Sequence, residues 1–184
     1  MKIDEKNAII NLMVAYNTNF SMQNEAKIYD IKKEFLINFT VDVTKKPKYV
    51  LQLLKTAYYE KNASDVEYCL ALMDLFNLVS NDYSLIFIKL LAVDWHTSHE
   101  NIVNNLQKLK LPETIDCLYS TALKPLDYLE YDESFSLAVK CIWALGEINN
   151  QKAKEKLELL TKSSNKVIKN NALIQLENIR VDTM

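Results

Sequence analysis

The sequence is poor in the residues that break helices and build tight turns. Its 184 residues include one glycine and three prolines, whereas average usage of about 7% would give roughly 13 glycines. Phosphate-binding loops, dinucleotide-binding loops and nucleophile elbows each need two or more glycines at fixed spacing. β-Sandwiches and β-barrels need repeated tight turns, which glycine forms most readily. The scarcity therefore argues against these classes and favours an all-α fold with short polar loops.

Three further features are missing from the sequence. No apolar run approaches the roughly 18 residues of a membrane span, and the charged first residues, MKIDEK, precede no apolar signal core. The net charge is -2 and the pI about 5.8, which lacks the basic excess of nucleic-acid-binding domains. We therefore expect a cytoplasmic protein that binds neither membranes nor nucleic acid.

Residues that carry chemistry are also few. Cys69, Cys117 and Cys141 are widely spaced and form no CxxC pair, which is typical of free thiols in a core. Both histidines, His96 and His99, lie in the segment DWHTSHE, where His-x-x-His beside carboxylates would suit zinc or iron. No third ligand is evident nearby, so a solvated turn is the favoured interpretation and a metal site the alternative. We expect no enzyme activity, cofactor or metal.

An eight-residue pattern recurs four times in the chain. It consists of two small or aliphatic residues, two variable positions, a leucine, two variable positions and an aliphatic residue. The pattern leucines, 31, 39 and 31 residues apart, are Leu75, Leu106, Leu145 and Leu176. The positions that the four copies share fall on one side of a helix, so each copy predicts an amphipathic helix. Internal repeats of this length are typical of solenoids.

A second apolar-periodic stretch precedes each copy and predicts a helix–turn–helix unit. These first helices are predicted at Tyr49–Tyr59, Leu85–Val93, Ile115–Leu123 and Ala153–Leu160. Capping boxes at Ser64-x-x-Glu67 and Thr97-x-x-Glu100 are expected to open two of the second helices. Two further helices are predicted at Asn7–Tyr16 and Met22–Phe39. We thus expect a single domain, with capping helices in residues 1–44 and four repeats in residues 45–184.

The stretch AVKCIWALGEI, Ala138–Ile148, with the two helices predicted after it, resembles a HEAT repeat. The ending Ala-Leu-Gly-x-Ile is its most HEAT-like element, and the resemblance is good over about 48 residues from Ser136 onward and its flanks. It implies a right-handed α-solenoid of about four to five helix pairs, whose second helices line a concave surface. The sequence departs from the family because one copy alone keeps the glycine and the usual Asp and Arg positions are absent.

Two sets of residues are predicted to bind a partner. The first is an acidic, tyrosine-containing insertion between two helices, where solenoids often carry binding loops: Asp127, Tyr128, Glu130, Tyr131, Asp132 and Glu133. The second is a polar ladder on the exposed faces of the second helices: Asp74, Asn101, Asn105, Lys140 and Glu147. For the insertion, an alternative is that Tyr128 tucks under the loop while Asp132 and Glu133 cap the next helix. Trp143 is expected in the core, and a role as an interface anchor is the alternative.

These features favour a non-enzymatic protein–protein interaction module. The more specific hypothesis is a bacterial immunity or inhibitor protein that neutralises a basic toxin, an analogy with HEAT-like immunity proteins at the level of the fold. Two alternatives stay open: a HEAT-type enzyme or nucleic-acid-binding protein resembling a DNA glycosylase, and a scaffold subunit of a larger assembly. An oversized apolar patch on a terminal helix pair would favour the scaffold.

Overall fold

The computed structural model describes residues 1–181, with side chains as far as Ile179. This part of the chain is all-helical and contains no β-strand. The α-helices are α1 (Ile3–Ser21), α2 (Glu25–Asn38), α3 (Lys48–Tyr59), α4 (Ala63–Phe76), α5 (Ser84–Ala92), α6 (His99–Leu109), α7 (Ile115–Ala122), α8 (Ser136–Ile148), α9 (Gln151–Leu160) and α10 (Lys166–Val181). The prediction of an all-α protein is confirmed.

Helix positions follow the apolar patterns, but neither of the two predicted capping boxes forms. α4 begins at Ala63, and the Asn62 side chain accepts a hydrogen bond from the Asp65 amide at 3.1 Å. Asparagine caps helices as well as serine does, so it replaces the expected cap at Ser64. α6 follows Ser98 and has no side-chain cap. The expected cap at Thr97 is therefore wrong, and Glu100 instead pairs with Lys140 at 3.1 Å.

The chain divides into two compact units, the first covering Met1–Val79 and the second beginning at Ser80. This boundary follows α4, whereas the sequence suggested a change of organisation after residue 44. In the first unit, α1 packs against α2 and α4, and α3 packs against α4. The apolar faces of these helices bury Ile9, Leu54 and Leu72 completely.

Two polar groups are buried beside this first core. The Asp65 carboxylate, fully buried, pairs with the Met1 ammonium group at 2.9 Å and with Lys6 Nζ at 2.8 Å. The Glu5 carboxylate, 3% exposed, accepts hydrogen bonds from the Tyr49 hydroxyl and the Lys2 amide. Each buried charge thus has a partner, as the cost of burying an unpaired charge requires.

In the second unit, α8 packs against α6, α7, α9 and α10. Its glycine, Gly146, is buried, and a Cβ atom there would lie 2.1 Å from Gln175 Oε1 on α10. The two helices therefore approach too closely at this position for a larger side chain. Gln175 itself is 5% exposed. The side chain fills the space that the glycine leaves.

The cysteines have free thiols, and Cys69 and Cys141 are buried. Burial raises the pKa of Cys69 to about 12 and that of Cys117 to about 11, which keeps both thiols protonated near neutral pH. Within the described residues, no helix combines the length and apolar character needed to cross a membrane.

Candidate functional site

The segment between α7 and α8, residues 123–135, is the longest connection in the second unit, and we call it the insertion loop. It accounts for the longer spacing between the second and third pattern leucines. Pro125 lies near its start, and its only regular element is a short 3-10 turn at Asp127–Leu129. The sequence placed an insertion here, and the structure confirms that placement.

Both ends of the insertion loop are fixed by hydrogen bonds. At the first end, Lys124 Nζ donates to the carbonyl oxygens of Val93 at 2.7 Å and Leu91 at 3.2 Å. At the second end, the Asp132 carboxylate accepts from the amides of Ser134 at 3.0 Å and Ser136 at 2.8 Å. Asp132 therefore caps the start of α8, as the alternative interpretation expected. Glu133, expected to cap the helix with it, is exposed instead.

The middle of the insertion loop is anchored by a buried histidine. His99 Nε2 lies 2.9 Å from the Val93 carbonyl oxygen, which can only accept, so this nitrogen carries the proton. Nδ1 of the neutral ring is then an acceptor, and the Tyr128 hydroxyl donates to it at 3.0 Å. Tyr128 thus ties the loop to His99, but its side chain stays 38% exposed rather than tucked under the loop.

His96 is held in the same way. Its Nε2 donates to the Leu90 carbonyl oxygen at 3.0 Å, and its Nδ1 accepts from the Ser98 amide at 3.1 Å. The rings of His96 and His99 stack with centroids 4.4 Å apart. All four ring nitrogens have a partner within the protein, so neither ring offers a free lone pair to a metal. In the described residues no cluster of three or more potential ligands is close enough to hold a metal ion.

The electrostatics of this histidine pair follow from its burial. Burial, with the charge interactions of His99 and Lys124, lowers the pKa of His96 to about 4. Burial also lowers the pKa of His99, and the nearby Lys124 adds to the effect. Burial raises the pKa of Tyr128 to about 12. Near neutral pH the network therefore consists of neutral rings and a neutral phenol.

The expected solvated turn at the two histidines is wrong. His96 is 2% exposed and His99 is fully buried. The imidazole N–H groups of His96 and His99 donate to the carbonyl oxygens of Leu90, in the last turn of α5, and of Val93, just after it. The Leu90 oxygen also accepts from the Val93 amide at 3.3 Å. One signal in the sequence could have indicated this burial: both histidines follow closely after an apolar helix, and carbonyl groups at the end of a helix need hydrogen-bond donors.

The outer surface of the insertion loop is acidic and aromatic. Tyr131 is 89% exposed, and the side chains of Asp127, Glu130 and Glu133 also face solvent. No ion pair among the described residues neutralises these three carboxylates. The four predicted binding residues on this surface are thus accessible, whereas Tyr128 and Asp132 are engaged in holding the loop in place.

A half-open hollow of about 450 Å³ lies beside the insertion loop. Its walls include Leu129, Leu137 and the ring of Phe135, which is 40% exposed. Phe135 has a left-handed backbone conformation with φ 52°, which is uncommon for an aromatic residue and turns the chain into α8. Phe135 was not predicted as a site residue because an apolar residue just before a helix normally signals packing.

Of the five residues of the predicted polar ladder, one is buried and two form ion pairs within the second unit. Asn101 and Asp74 are exposed, Asp74 in the first unit, but Asn105 is fully buried and the prediction that it is exposed is wrong. Its amide donates to the Asn101 carbonyl oxygen at 3.0 Å. Lys140 pairs with Glu100, and Glu147 pairs with Lys110. These two ion pairs connect α8 to α6 and its C-terminal end.

Trp143 also differs from its expected position. The ring is 44% exposed, and its Nε1 group donates to Asn171 Oδ1 at 3.3 Å. The expectation of a core tryptophan is wrong because the residue faces outward from α8 between two buried positions, Ile142 and Ala144.

Comparisons of the chain with protein-family models, with curated proteins and with solved structures found no match.

Proposed function

We propose that the protein is a non-enzymatic binding module that recognises a basic surface of another protein through its insertion loop. The observation that carries this proposal is that the loop is held in place by some residues while others remain exposed and unpaired. Three anchors fix it to the second unit, while Tyr131 and three unpaired carboxylates remain exposed. A loop used only to connect two helices has no need of such a surface.

The physical advantage lies in preorganisation. A loop that is already ordered loses little conformational entropy when a partner binds, so more of the contact energy appears as affinity. Tyrosine contributes a large contact area at the centre of interfaces. Clustered carboxylates at the edge raise the rate of encounter with a basic partner.

The proposed scaffold for this loop is a short HEAT-like solenoid. In the second unit the first helices contact each other in the order α5, α7, α9, and the second helices in the order α6, α8, α10. Each first helix also contacts its own second helix. This order of contacts is what stacked helix pairs produce, and it supports a solenoid with the insertion loop at one edge.

The specific form of the proposal is a cytoplasmic bacterial immunity protein that inhibits a basic toxin such as a nuclease. Its acidic loop would occupy the cationic surface that the toxin uses for its substrate. A toxin encoded beside this chain is therefore the first partner to test, by co-expression and rescue of growth.

The experiment that tests the binding surface is a triple charge reversal, Asp127→Lys with Glu130→Lys and Glu133→Lys. The matched control reverses three exposed carboxylates elsewhere in the second unit, Glu113, Glu158 and Glu177, and has the same net charge. Partners are captured from the source cells by a photoreactive group at Tyr131. We expect the loop variant to lose the captured protein and the control to retain it. Equal capture by both variants would contradict the proposal.

A second candidate function, a subunit of a larger assembly, is favoured by the first helix pair. Six large apolar side chains on or beside α1 and α2 are 62–71% exposed: Ile3, Val14, Phe20, Met22, Tyr29 and Ile37. Exposed apolar area of this kind commonly marks a protein–protein interface. Replacing Val14, Tyr29 and Ile37 by serine should release a co-purifying subunit without affecting capture through Tyr131.

A further inference from the structure

We propose that the hollow beside the insertion loop binds an arginine side chain of the partner protein. This inference rests on the proposed function and names the partner group that the loop would recognise. It is drawn from three properties of the hollow: its size, its apolar walls and the uncompensated negative charge at its edge.

The size and walls of the hollow suit a side chain with a long apolar stem. Its volume of about 450 Å³ lies within the range of small-molecule sites and exceeds the gaps left by ordinary packing. Leu129 and Phe135 supply apolar surface along its walls, and the buried side chains of Leu126, Leu137 and Ala138 also line it. Arginine and lysine both bury their methylene groups against such surfaces while their charged ends stay near water.

The charge of the hollow selects a cation. Asp127 and Glu130 line it, and no ion pair among the described residues involves either of them. Asp132 also lines it, but its oxygens already accept from the amides of Ser134 and Ser136. The one lysine at the wall, Lys124, directs its ammonium group to two backbone carbonyls. Two carboxylates are therefore left for a ligand.

Guanidinium matches this arrangement better than ammonium. Its planar group presents five N–H donors and can bind two carboxylates at once, whereas ammonium acts as a compact, strongly hydrated point charge. Guanidinium also stacks on aromatic rings, and the partly exposed ring of Phe135 forms one wall of the hollow. A partner arginine would thus place its stem on the leucines and its charged end between Asp127 and Glu130.

The test uses small probes, so it does not depend on knowing the partner. N-acetyl-argininamide is titrated into the full chain while the methyl signals of Leu126, Leu129, Leu137 and Ala138 are followed by NMR. N-acetyl-citrullinamide, which has nearly the same shape without the charge, is the matched probe. We expect saturable shifts with the arginine probe in the millimolar range and at least tenfold weaker binding of the citrulline probe.

Variants then test whether the carboxylates of Asp127 and Glu130 bind the arginine probe. Asp127→Asn and Glu130→Gln keep the shape of exposed side chains, so both proteins should fold, and each should weaken the arginine probe about five- to tenfold. Glu158→Gln, which removes one negative charge outside the hollow, should leave binding unchanged. Equal binding of the citrulline probe, unchanged binding to both hollow variants, or no saturation would overturn the proposal. Equal binding of N-acetyl-lysinamide would overturn the assignment to guanidinium.

Failure here is distinguishable from failure of the proposed function. Loss of the captured partner after charge reversal, combined with no probe binding, would mean that the loop binds a protein without an arginine in the hollow. Probe binding without any captured partner would keep the site and overturn the protein-binding role.

Discussion

Each of the two units buries a polar network, and the two networks satisfy their polar groups in opposite ways. The first unit buries charges: Asp65 pairs with the Met1 ammonium group and Lys6, and Glu5 accepts from Tyr49. The second unit buries neutral groups, with His96 and His99 held as the Nε2–H tautomers. The network in the first unit is therefore stable only while its carboxyl groups are ionised, and the network in the second unit only while its histidines are neutral.

This difference predicts different responses to acid. Burial alone would raise the pKa of Glu5, but hydrogen bonds from Tyr49, the Lys2 amide and Thr40 outweigh it and lower the pKa below 4.5. Stability from Glu5 is thus present above pH 4.5 and is lost as the pH falls through the folded-state pKa. The histidines must stay neutral, so their contribution begins to fall at a higher pH.

The largest expected effect comes from removing the central charge of the first network. Asp65→Asn leaves the buried Met1 ammonium group and Lys6 without a countercharge. Breaking a buried pair from one side typically costs about 3–5 kcal/mol, and we expect a loss of this size in the free energy of unfolding. Urea denaturation measures it, and hydrogen exchange shows whether α1 and α4 lose protection first.

Asp42→Asn is the matched control for the Asp65 variant. Asp42 pairs with Lys45 at 3.2 Å in the same unit, but the lysine side chain is 82% exposed. Exposed pairs contribute little because solvent and salt screen them. A similar loss for both variants would show that burial does not set the strength of the Asp65 pair.

The second prediction concerns acid and the histidine network. Unfolded histidine has a pKa near 6.5, whereas His96 in the folded protein has a pKa of about 4. Between these values the unfolded chain binds more protons, so stability is complete above pH 6.5 and falls as the pH approaches 4. The difference between the two pKa values corresponds to a loss of up to about 3 kcal/mol in the free energy of unfolding, since one pKa unit is about 1.4 kcal/mol.

Stability measured by urea denaturation from pH 7.5 to 4 tests this expectation. A His96→Asn variant should be less stable at neutral pH, because its contacts to Leu90 and Ser98 are altered, and its profile should be flatter. NMR titration of the His96 ring gives a second readout. A midpoint near 6.5 in the folded protein would contradict the buried neutral ring.

The comparison also shows what the sequence could predict. Apolar periodicity located the ten α-helices of residues 1–181, because burial of one helix face dominates the free energy of folding and that face is visible in the pattern of residues. It also located the insertion loop. The predicted exposures of Asn105 and Trp143 were wrong because side-chain burial depends on which helix packs opposite. The histidine network was missed because it joins the end of α5, the start of α6 and Tyr128, 29 residues from His99.

The third prediction tests how much a hydrogen bond to an ionised carboxylate contributes to stability. Tyr49→Phe removes the phenol that donates to the Glu5 carboxylate. A hydrogen bond to a charged group is worth about 1.5–3 kcal/mol, and we expect a loss of about 2 kcal/mol near neutral pH. Because the bond favours ionised Glu5, the difference from the natural protein should shrink when the pH falls well below 4.5. A difference independent of pH would show that the contribution of the Tyr49 hydroxyl does not depend on the charge of Glu5.

The smallest effect is expected from the corresponding change in the second unit. Tyr128→Phe removes a phenol that donates to a neutral imidazole at 3.0 Å. A neutral hydrogen bond contributes about 0.5–1.5 kcal/mol, and Tyr128 is 38% exposed, so we expect about 1 kcal/mol or less. The local consequence should be larger, because this bond fixes the middle of the insertion loop. Hydrogen exchange at Leu129, whose amide donates to the Leu126 carbonyl oxygen at 2.9 Å, should accelerate in the variant, while α9 amides stay unchanged. Unaltered exchange at Leu129 would mean that Lys124 and Asp132 suffice to hold the loop, and that His99 is buried for the stability of the core alone.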